Sequence, residues 1–272
     1  MKKNIIYLSF VLFMMTLSSC QMMVEVDVPK QDPKLVVFCF LTPDDEKIRV
    51  IVRTSSPLFS DEDLDSWSVK DDATVTLSSP NQSVNIPFVM DMLTYELDAA
   101  TFPIVPGETY QLMVSAPGYK PVIASTRVPL QIPVFTVNTV TQSEQTNQNG
   151  YTELVHKFDL RWLDTPGQEN FYEVSIQRYE SELQYFPVTD EYHDGETVAI
   201  SPTVLNSPDG GTQEPFRVYL LHTTEDYFRY KKSLENLNFG DPFSEPSLLY
   251  SNIENGLGCF TSYVGSSVLI VP

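Results

Sequence analysis

The feature that most constrains this chain is the alternation of apolar and polar residues at period two. It is clear in Thr74-Val75-Thr76-Leu77 and in Tyr110-Gln111-Leu112-Met113-Val114. Successive side chains of a β-strand point to opposite faces, so segments of this kind bury one face and leave the other in water. Because Pro, Gly, Asn and Asp bound the segments as turn residues, the pattern predicts a mainly β protein.

The alternating segments form two groups along the chain. Two prolines, Pro129 and Pro133, bracket the stretch between the groups, which favours an extended connection over a helix. We therefore predict an N-terminal domain over 33–130 and a C-terminal domain over 131–272, with Trp162 as a central packing residue of the second. The strands are predicted at 34–40, 48–54, 73–78, 94–97, 108–115 and 121–128, and then at 134–141, 153–163, 171–179, 197–200 and 216–222.

A short segment indicates the type of β architecture. Pro106-Gly107-Glu108-Thr109-Tyr110, followed by Gly118-Tyr119-Lys120-Pro121, resembles the last hairpin of small immunoglobulin-like or transthyretin-like modules. The resemblance implies two such β-sandwich domains.

One helix is expected in the second domain. Thr223 can cap its first turn together with Asp226, three positions later. Tyr227, Tyr230 and Leu234 then recur on one face at helical spacing. The pattern predicts a helix over about 224–237.

The first twenty residues indicate an export signal. Lys2 and Lys3 precede an uncharged run over 5–17 that is too short to span a bilayer. The run ends in Leu17-Ser18-Ser19-Cys20, which resembles a bacterial lipobox. This resemblance implies a signal peptide over 1–19, diacylation of Cys20 and a lipidated tether over 20–32; the alternative is an ordinary secretory signal with Cys20 near its cleavage site by chance.

The charge balance narrows the choice of partners. The chain has 36 acidic and 17 basic side chains, which gives a net charge of -19. Removal of the predicted signal takes away Lys2 and Lys3, so 15 basic side chains and a net charge of -21 would remain. Nucleic-acid binders need a basic face, so a nucleic acid is excluded as a partner. An acidic surface is also repelled by anionic headgroups, which leaves the lipid chains as the expected anchor.

A segment near the C-terminus carries a family resemblance. Ser251-Asn252-Ile253-x-x-Gly256-x-Gly258-x-Phe260, together with the lipobox and the tyrosine-rich helix, resembles uncharacterised lipoproteins of the Bacteroidota that are known only as a domain of unknown function. Members are often encoded beside TonB-dependent receptors. The resemblance implies an outer-membrane lipoprotein that accompanies such a receptor; it brings no catalytic residue, and the leaflet that is reached stays open.

Motifs that would indicate a metal or cofactor are missing from the sequence. His156, His193 and His222 are widely spaced, and the glycines follow no nucleotide-binding spacing, so we predict no metal and no cofactor. Cys39 and Cys259 could form a disulfide in an envelope compartment or remain buried thiols.

Two functions remain open. The first is a non-enzymatic binding module, in which Tyr185, Phe186 and Tyr192, expected in loops, contact a glycan, a peptide or a partner protein. Asn252 and Asn255 are further candidates for a binding loop, although they could equally form a folding turn. The alternative is an envelope hydrolase or glycan-active enzyme with paired acids such as Asp190 and Asp194. We predict binding and no enzymatic activity.

Overall fold

The computed structural model describes residues 32–55, 69–130, 134–146, 150, 152–178, 183–206, 215–235 and 248–271. The chain divides into Met1–Asp32 and a compact unit, Pro33–Pro272. The predicted signal segment, Cys20 and the tether up to residue 31 lie outside the described residues. Within those residues, no helix has both the length and the apolar character to cross a membrane.

The described chain is mainly β, as predicted. It contains one α-helix, α1 (Glu225–Glu235), and a short 3-10 turn, Met90–Met92. The strands are β1 (Leu35–Leu41), β2 (Lys47–Thr54), β3 (Thr74–Ser78), β4 (Ser83–Ile86), β5 (Phe88–Val89), β6 (Thr94–Asp98), β7 (Thr109–Ser115), β8 (Val122–Arg127), β9 (Phe135–Thr146), β10 (Thr152–Leu163), β11 (Phe171–Arg178), β12 (Gln184–Thr189), β13 (Thr197–Ile200), β14 (Thr203–Asn206), β15 (Phe216–Thr223) and β16 (Leu257–Ile270).

These strands form one long sheet and two smaller ones. The long sheet has eight strands in the order β12-β11-β15-β16-β1-β2-β6-β5. The smaller sheets are β4-β3-β7-β8 and β13-β10-β14, the latter extended by β9 on β10. Strand β16 pairs in parallel with β1 through its first half and antiparallel with β15 through its second. The last of the described strands in sequence order therefore lies in the middle of the long sheet.

Each smaller sheet packs against part of the long sheet, which confirms the β-sandwich fold class. The first core joins Val37 and Val50 of the long sheet to Leu112 of β7. The second core joins Val174 of β11 to Phe158 of β10 and also buries Trp162, as predicted. Apolar side chains pack at interior density in such layers, so the two cores carry most of the hydrophobic stabilisation.

The helix covers the opposite face of the long sheet. Tyr230 packs on Phe38 and Phe40 with ring centroids 5.8 Å apart in both pairs, and Tyr227 meets Phe40 at 6.0 Å. Thr224, rather than Thr223, caps α1, because its hydroxyl accepts a hydrogen bond from the Tyr227 amide at 3.2 Å. The predicted cap was one residue early because Thr223 is the last residue of β15.

The predicted division at residue 131 stays a prediction. The second core contains residues 158–220, whereas the first contains residues 35–128 together with Ile253, Phe260 and Val264. Because β16 pairs with both β1 and β15, strands from both predicted domains share one continuous sheet.

Cys39 and Cys259 are free, buried thiols. Cys39 is opposite Phe260 in the β1–β16 pairing, and Cys259 is opposite Phe38. The side chain of Cys39 therefore points into the first core, whereas that of Cys259 points to the helix side of the sheet. Burial raises the pKa of the Cys259 thiol to about 12.

Candidate functional site

The structure places Tyr185 and Phe186 in β12 rather than in a loop. Strand β12 pairs with β11 over six residues, with Tyr185 opposite Ser175 and Phe186 opposite Val174. The alternation of the strand turns Tyr185 to the helix side, while half-buried Phe186 packs against the second core. The expectation of a loop was wrong because Pro187 lies on β12, an edge strand of the sheet, where proline is tolerated.

Tyr192 lies in a turn, as expected of a loop residue. Its side chain follows β12 and is 81% exposed. It is separated from Tyr185 by the end of the strand, so the described residues do not gather the predicted aromatic residues into one patch. Tyr192 remains a candidate for contact with a partner.

Asn252 fastens the segment before β16 to the rest of the fold. Its amide nitrogen donates to the Phe260 carbonyl at 2.7 Å and to Asp226 Oδ2 at 3.0 Å, and its Oδ1 accepts from the Phe260 amide at 2.9 Å. These bonds tie the segment to both β16 and α1. Asn252 thus uses its hydrogen-bonding groups inside the protein, which favours the folding-turn interpretation.

The rest of this segment is also shaped by the fold. Asn255 has a φ of 62°, a left-handed conformation that asparagine adopts more readily than most residues, and its side chain faces the Pro121 carbonyl at 3.5 Å. Gly258 has a φ of 112°, and a Cβ there would overlap the Val37 carbonyl oxygen. The glycine therefore lets β16 begin against β1.

The structure brings Asp190 and Asp194 together, as the hydrolase alternative requires, and adds Asp164. We call these three residues the acidic corner. One carboxylate oxygen from each lies within 4.8 Å of those of the other two, a spacing that could hold a metal ion. Sequence reasoning missed Asp164 because it stands 26 residues before Asp190, and only the fold makes them neighbours.

Hydrogen bonds from the surrounding loops hold the acidic corner. Asp194 Oδ1 accepts from the Gly167 amide at 2.6 Å, and Asp164 Oδ2 accepts from the Gly195 amide at 2.9 Å, so the two aspartates cross-link the same pair of turns. Asp190 Oδ2 accepts from the Asn170 amide at 2.9 Å. The carboxylates thereby accept hydrogen bonds from backbone amides of these turns that would otherwise lack partners among the described residues.

Tyr172 extends the acidic corner into the second core. Its hydroxyl donates to Asp164 Oδ1 at 2.7 Å, and its ring meets Trp162 edge-on at 5.3 Å. Burial raises the pKa of Tyr172, and the hydrogen bond to Asp164 raises it further. The hydroxyl stays protonated and acts as a donor to the carboxylate.

A second polar cluster lies under α1, and we call it the lysine clamp. Lys231 Nζ lies 3.3 Å from Oε2 of buried Glu173, 4.0 Å from the ring centroid of Tyr185 and 5.4 Å from that of Tyr227. The Tyr227 hydroxyl donates to the other carboxylate oxygen of Glu173 at 3.1 Å. An ammonium over aromatic faces and beside a carboxylate is attracted by both, so the lysine clamp holds α1 on β11 and β12.

One apolar surface projects from the end of the long sheet. We call it the methionine tip, residues 90–93. Met90 is 65% exposed, Met92 56% and Leu93 47%. The Leu93 amide donates to the Met90 carbonyl at 3.2 Å, which closes the 3-10 turn. Sequence reasoning did not single out these residues, although neighbouring exposed apolar side chains can mark a contact surface.

The comparisons with known proteins identify a family. The model of a domain of unknown function, DUF4249, matches residues 23–267. The chain belongs to this family. A search of the curated proteins found no match. Among solved structures, a segment of two fibronectin type-III domains from chicken tenascin is similar at 14% identity, with 89% of this chain and 100% of that chain covered and a TM-score of 0.21.

Proposed function

We propose that this DUF4249 chain is a lipid-anchored outer-membrane lipoprotein that acts as a non-enzymatic binding partner of a TonB-dependent receptor. The observation that carries the proposal is the lipobox-like Leu17-Ser18-Ser19-Cys20, which ends an uncharged run and precedes a twelve-residue tether to the compact unit. Acyl chains on Cys20 would hold the protein on a membrane without a spanning helix.

The resemblance to Bacteroidota lipoproteins encoded beside TonB-dependent receptors supports the choice of partner. The arrangement of the described polar groups supports binding over catalysis, because the acidic corner and the lysine clamp both use their charges to hold turns and α1 in place. Exposed Tyr192 provides an aromatic side chain of the kind that anchors protein interfaces.

Co-purification from detergent-solubilised outer membranes tests the proposal. The mature chain should retrieve a TonB-dependent receptor, and Tyr192→Ala should reduce the yield of receptor without changing the melting temperature. Exposed Leu163→Ala, on β10, is the matched control and should leave the yield unchanged. Recovery of the chain alone, under conditions that keep other receptor complexes intact, would exclude the partnership.

The anchor has a separate test. Cys20→Ala removes the thiol that would be acylated, so the variant should be released from membranes by alkaline carbonate, which also strips proteins held only through a bound receptor. A variant that stays with the membranes after this extraction would exclude anchoring by acylation of Cys20.

The acidic corner supports a second candidate, an envelope hydrolase. One carboxylate oxygen from each member lies within 4.8 Å of those of the other two, which brings the carboxylates as near to one another as the pair about 5 Å apart in retaining glycosidases. Asp194 is the exposed member, so it is the residue that a substrate could reach. Turnover of an envelope polysaccharide that disappears in Asp194→Asn, with the melting temperature unchanged, would establish this function in place of the first.

A further inference from the structure

The methionine tip combines exposed apolar side chains with a constrained backbone. Leu93 has a φ of 52°, a left-handed conformation in which leucine is disfavoured and asparagine or glycine is favoured. Leu93 is nevertheless 47% exposed, so only part of its surface is used in packing within the protein. A turn that only joined β5 to β6 would be better served by a small or polar residue. The apolar character of the tip therefore indicates a contact outside the compact unit.

Strand register places the methionine tip at the end of the sheet where the chain enters the fold. Phe38 of β1 is opposite Ile51 of β2, and Val50 of β2 is opposite Tyr95 of β6. The beginnings of β1 and β6 therefore lie at the same end of the long sheet. Pro33 precedes β1, and the tip precedes β6. Leu257, 39% exposed, begins β16 at this end as well, opposite Val36.

The length of chain before Pro33 limits how far this end can lie from an acylated Cys20. Thirteen residue steps separate Cys20 from Pro33, and an extended chain spans at most about 3.5 Å per residue, so the separation cannot exceed about 45 Å. The tether therefore joins the compact unit at the end of the long sheet that carries the methionine tip.

We propose that the methionine tip contacts the bilayer surface and orients the protein on it. The inference rests on the proposed lipid anchor at Cys20. Methionine side chains are unbranched and flexible, which suits an irregular apolar surface such as the headgroup–acyl boundary. Asp91, between the two methionines, keeps its carboxylate in the headgroup region and limits the tip to shallow insertion. The acyl chains provide the attachment, and the tip sets which end faces the membrane.

A fluorescent probe can measure this contact. In the full mature chain, Met92→Cys is labelled with an NBD maleimide, while buried Cys39 and Cys259 are shielded from the reagent. A hexahistidine tag in place of Cys20 holds the protein on phosphatidylcholine vesicles that contain nickel-chelating and nitroxide-labelled lipids. We expect the probe emission to shift to the blue on vesicles and to be quenched by the nitroxide lipid.

The matched control is Val105→Cys. Val105 is 42% exposed in the connection between the end of β6 and the start of β7, at the opposite end of the sheet. Its probe should neither shift nor be quenched. A further variant adds Met90→Ser and Leu93→Asn to Met92→Cys. These two changes remove apolar surface from the tip, and asparagine suits the left-handed φ at position 93. Quenching of the probe in this variant should fall towards the level of Val105→Cys.

Two results would overturn the inference: equal, water-like emission at both positions, or quenching at Met92→Cys that persists after Met90 and Leu93 are replaced. The nickel-chelating lipid holds the protein whether or not Cys20 is acylated. The vesicles contain no receptor. The vesicle measurement therefore tests the methionine tip alone. Fractionation of Cys20→Ala tests the lipid anchor, and co-purification tests the partnership with a receptor.

Discussion

Replacement of Asn252 by alanine distinguishes a structural role of the Ser-Asn-Ile-x-x-Gly-x-Gly segment from a binding role. The change removes three hydrogen bonds, two with the Phe260 backbone and one with the Asp226 carboxylate. At about 1 kcal/mol for each bond, with partners left unsatisfied in partly buried positions, we expect a loss of about 3 kcal/mol in the free energy of unfolding. For a chain of this size that corresponds to a decrease of about 6 to 12 °C in the melting temperature.

Differential scanning calorimetry of the mature protein measures this decrease. The control is Asn255→Gly, because Asn255 is exposed, has a positive φ and makes one long hydrogen bond, so glycine should change stability by less than about 0.5 kcal/mol. If Asn252→Ala melts at the temperature of the unchanged protein while it no longer retrieves a receptor, the segment is a binding loop and the structural reasoning is wrong.

Three further changes test other parts of the structure. Lys231→Met leaves buried Glu173 without its ammonium partner and should lower the free energy of unfolding, measured in urea, by about 3 kcal/mol. Adding Glu173→Gln to this variant should restore most of the lost stability. Equal stability of the single and the double variant would contradict the role of the Lys231–Glu173 pair. Burial, and then the positive charge of Arg178, lower the pKa of His156 below 6.5, so the folded protein takes up its proton less readily than the unfolded chain. Stability is therefore lost as pH falls through 6.5, and His156→Phe should flatten the dependence of the urea midpoint on pH. In Gly258→Ala the new Cβ overlaps the backbone of β1, so the free energy of unfolding should fall by about 3 kcal/mol or more. Gly118 also has a positive φ but has open space around it, so Gly118→Ala should lower the free energy of unfolding by about 1 kcal/mol. Equal losses for the two variants in calorimetry would refute the argument from crowding.

The strands were predictable because alternation at period two is a local property. The predicted segment 34–40 differs from β1 by one residue at each end, and 108–115 differs from β7 by one residue at its start. The order of the strands was not predictable, since β1 and β16 pair at residues 221 positions apart, and nothing in either segment specifies the other. The helix was recognisable from its tyrosine spacing, but its cap was misplaced by one residue because two adjacent threonines offer the same chemistry.

The candidate sites were less predictable than the strands. Tyr185 and Phe186 resembled loop residues because a proline follows them, although pairing with β11 makes the segment a strand. Asp190 and Asp194 were recognisable as a pair by proximity in sequence, whereas Asp164 and the lysine clamp depend on contacts between distant segments. An exposed apolar side chain such as Met92 has no local signature, because the same residue type serves equally well in a core.

The position of β16 has a consequence for how the protein folds. Strand β16 follows both of its partners in the sequence, so β1 and β15 each keep an unpaired edge until residues 257–270 have joined them. Exposed edges are templates for association with other chains, and pairing across so long a loop is slow. A truncation before residue 257 would therefore add two open edges, on β1 and on β15, to those that β12 and β5 already form in the long sheet.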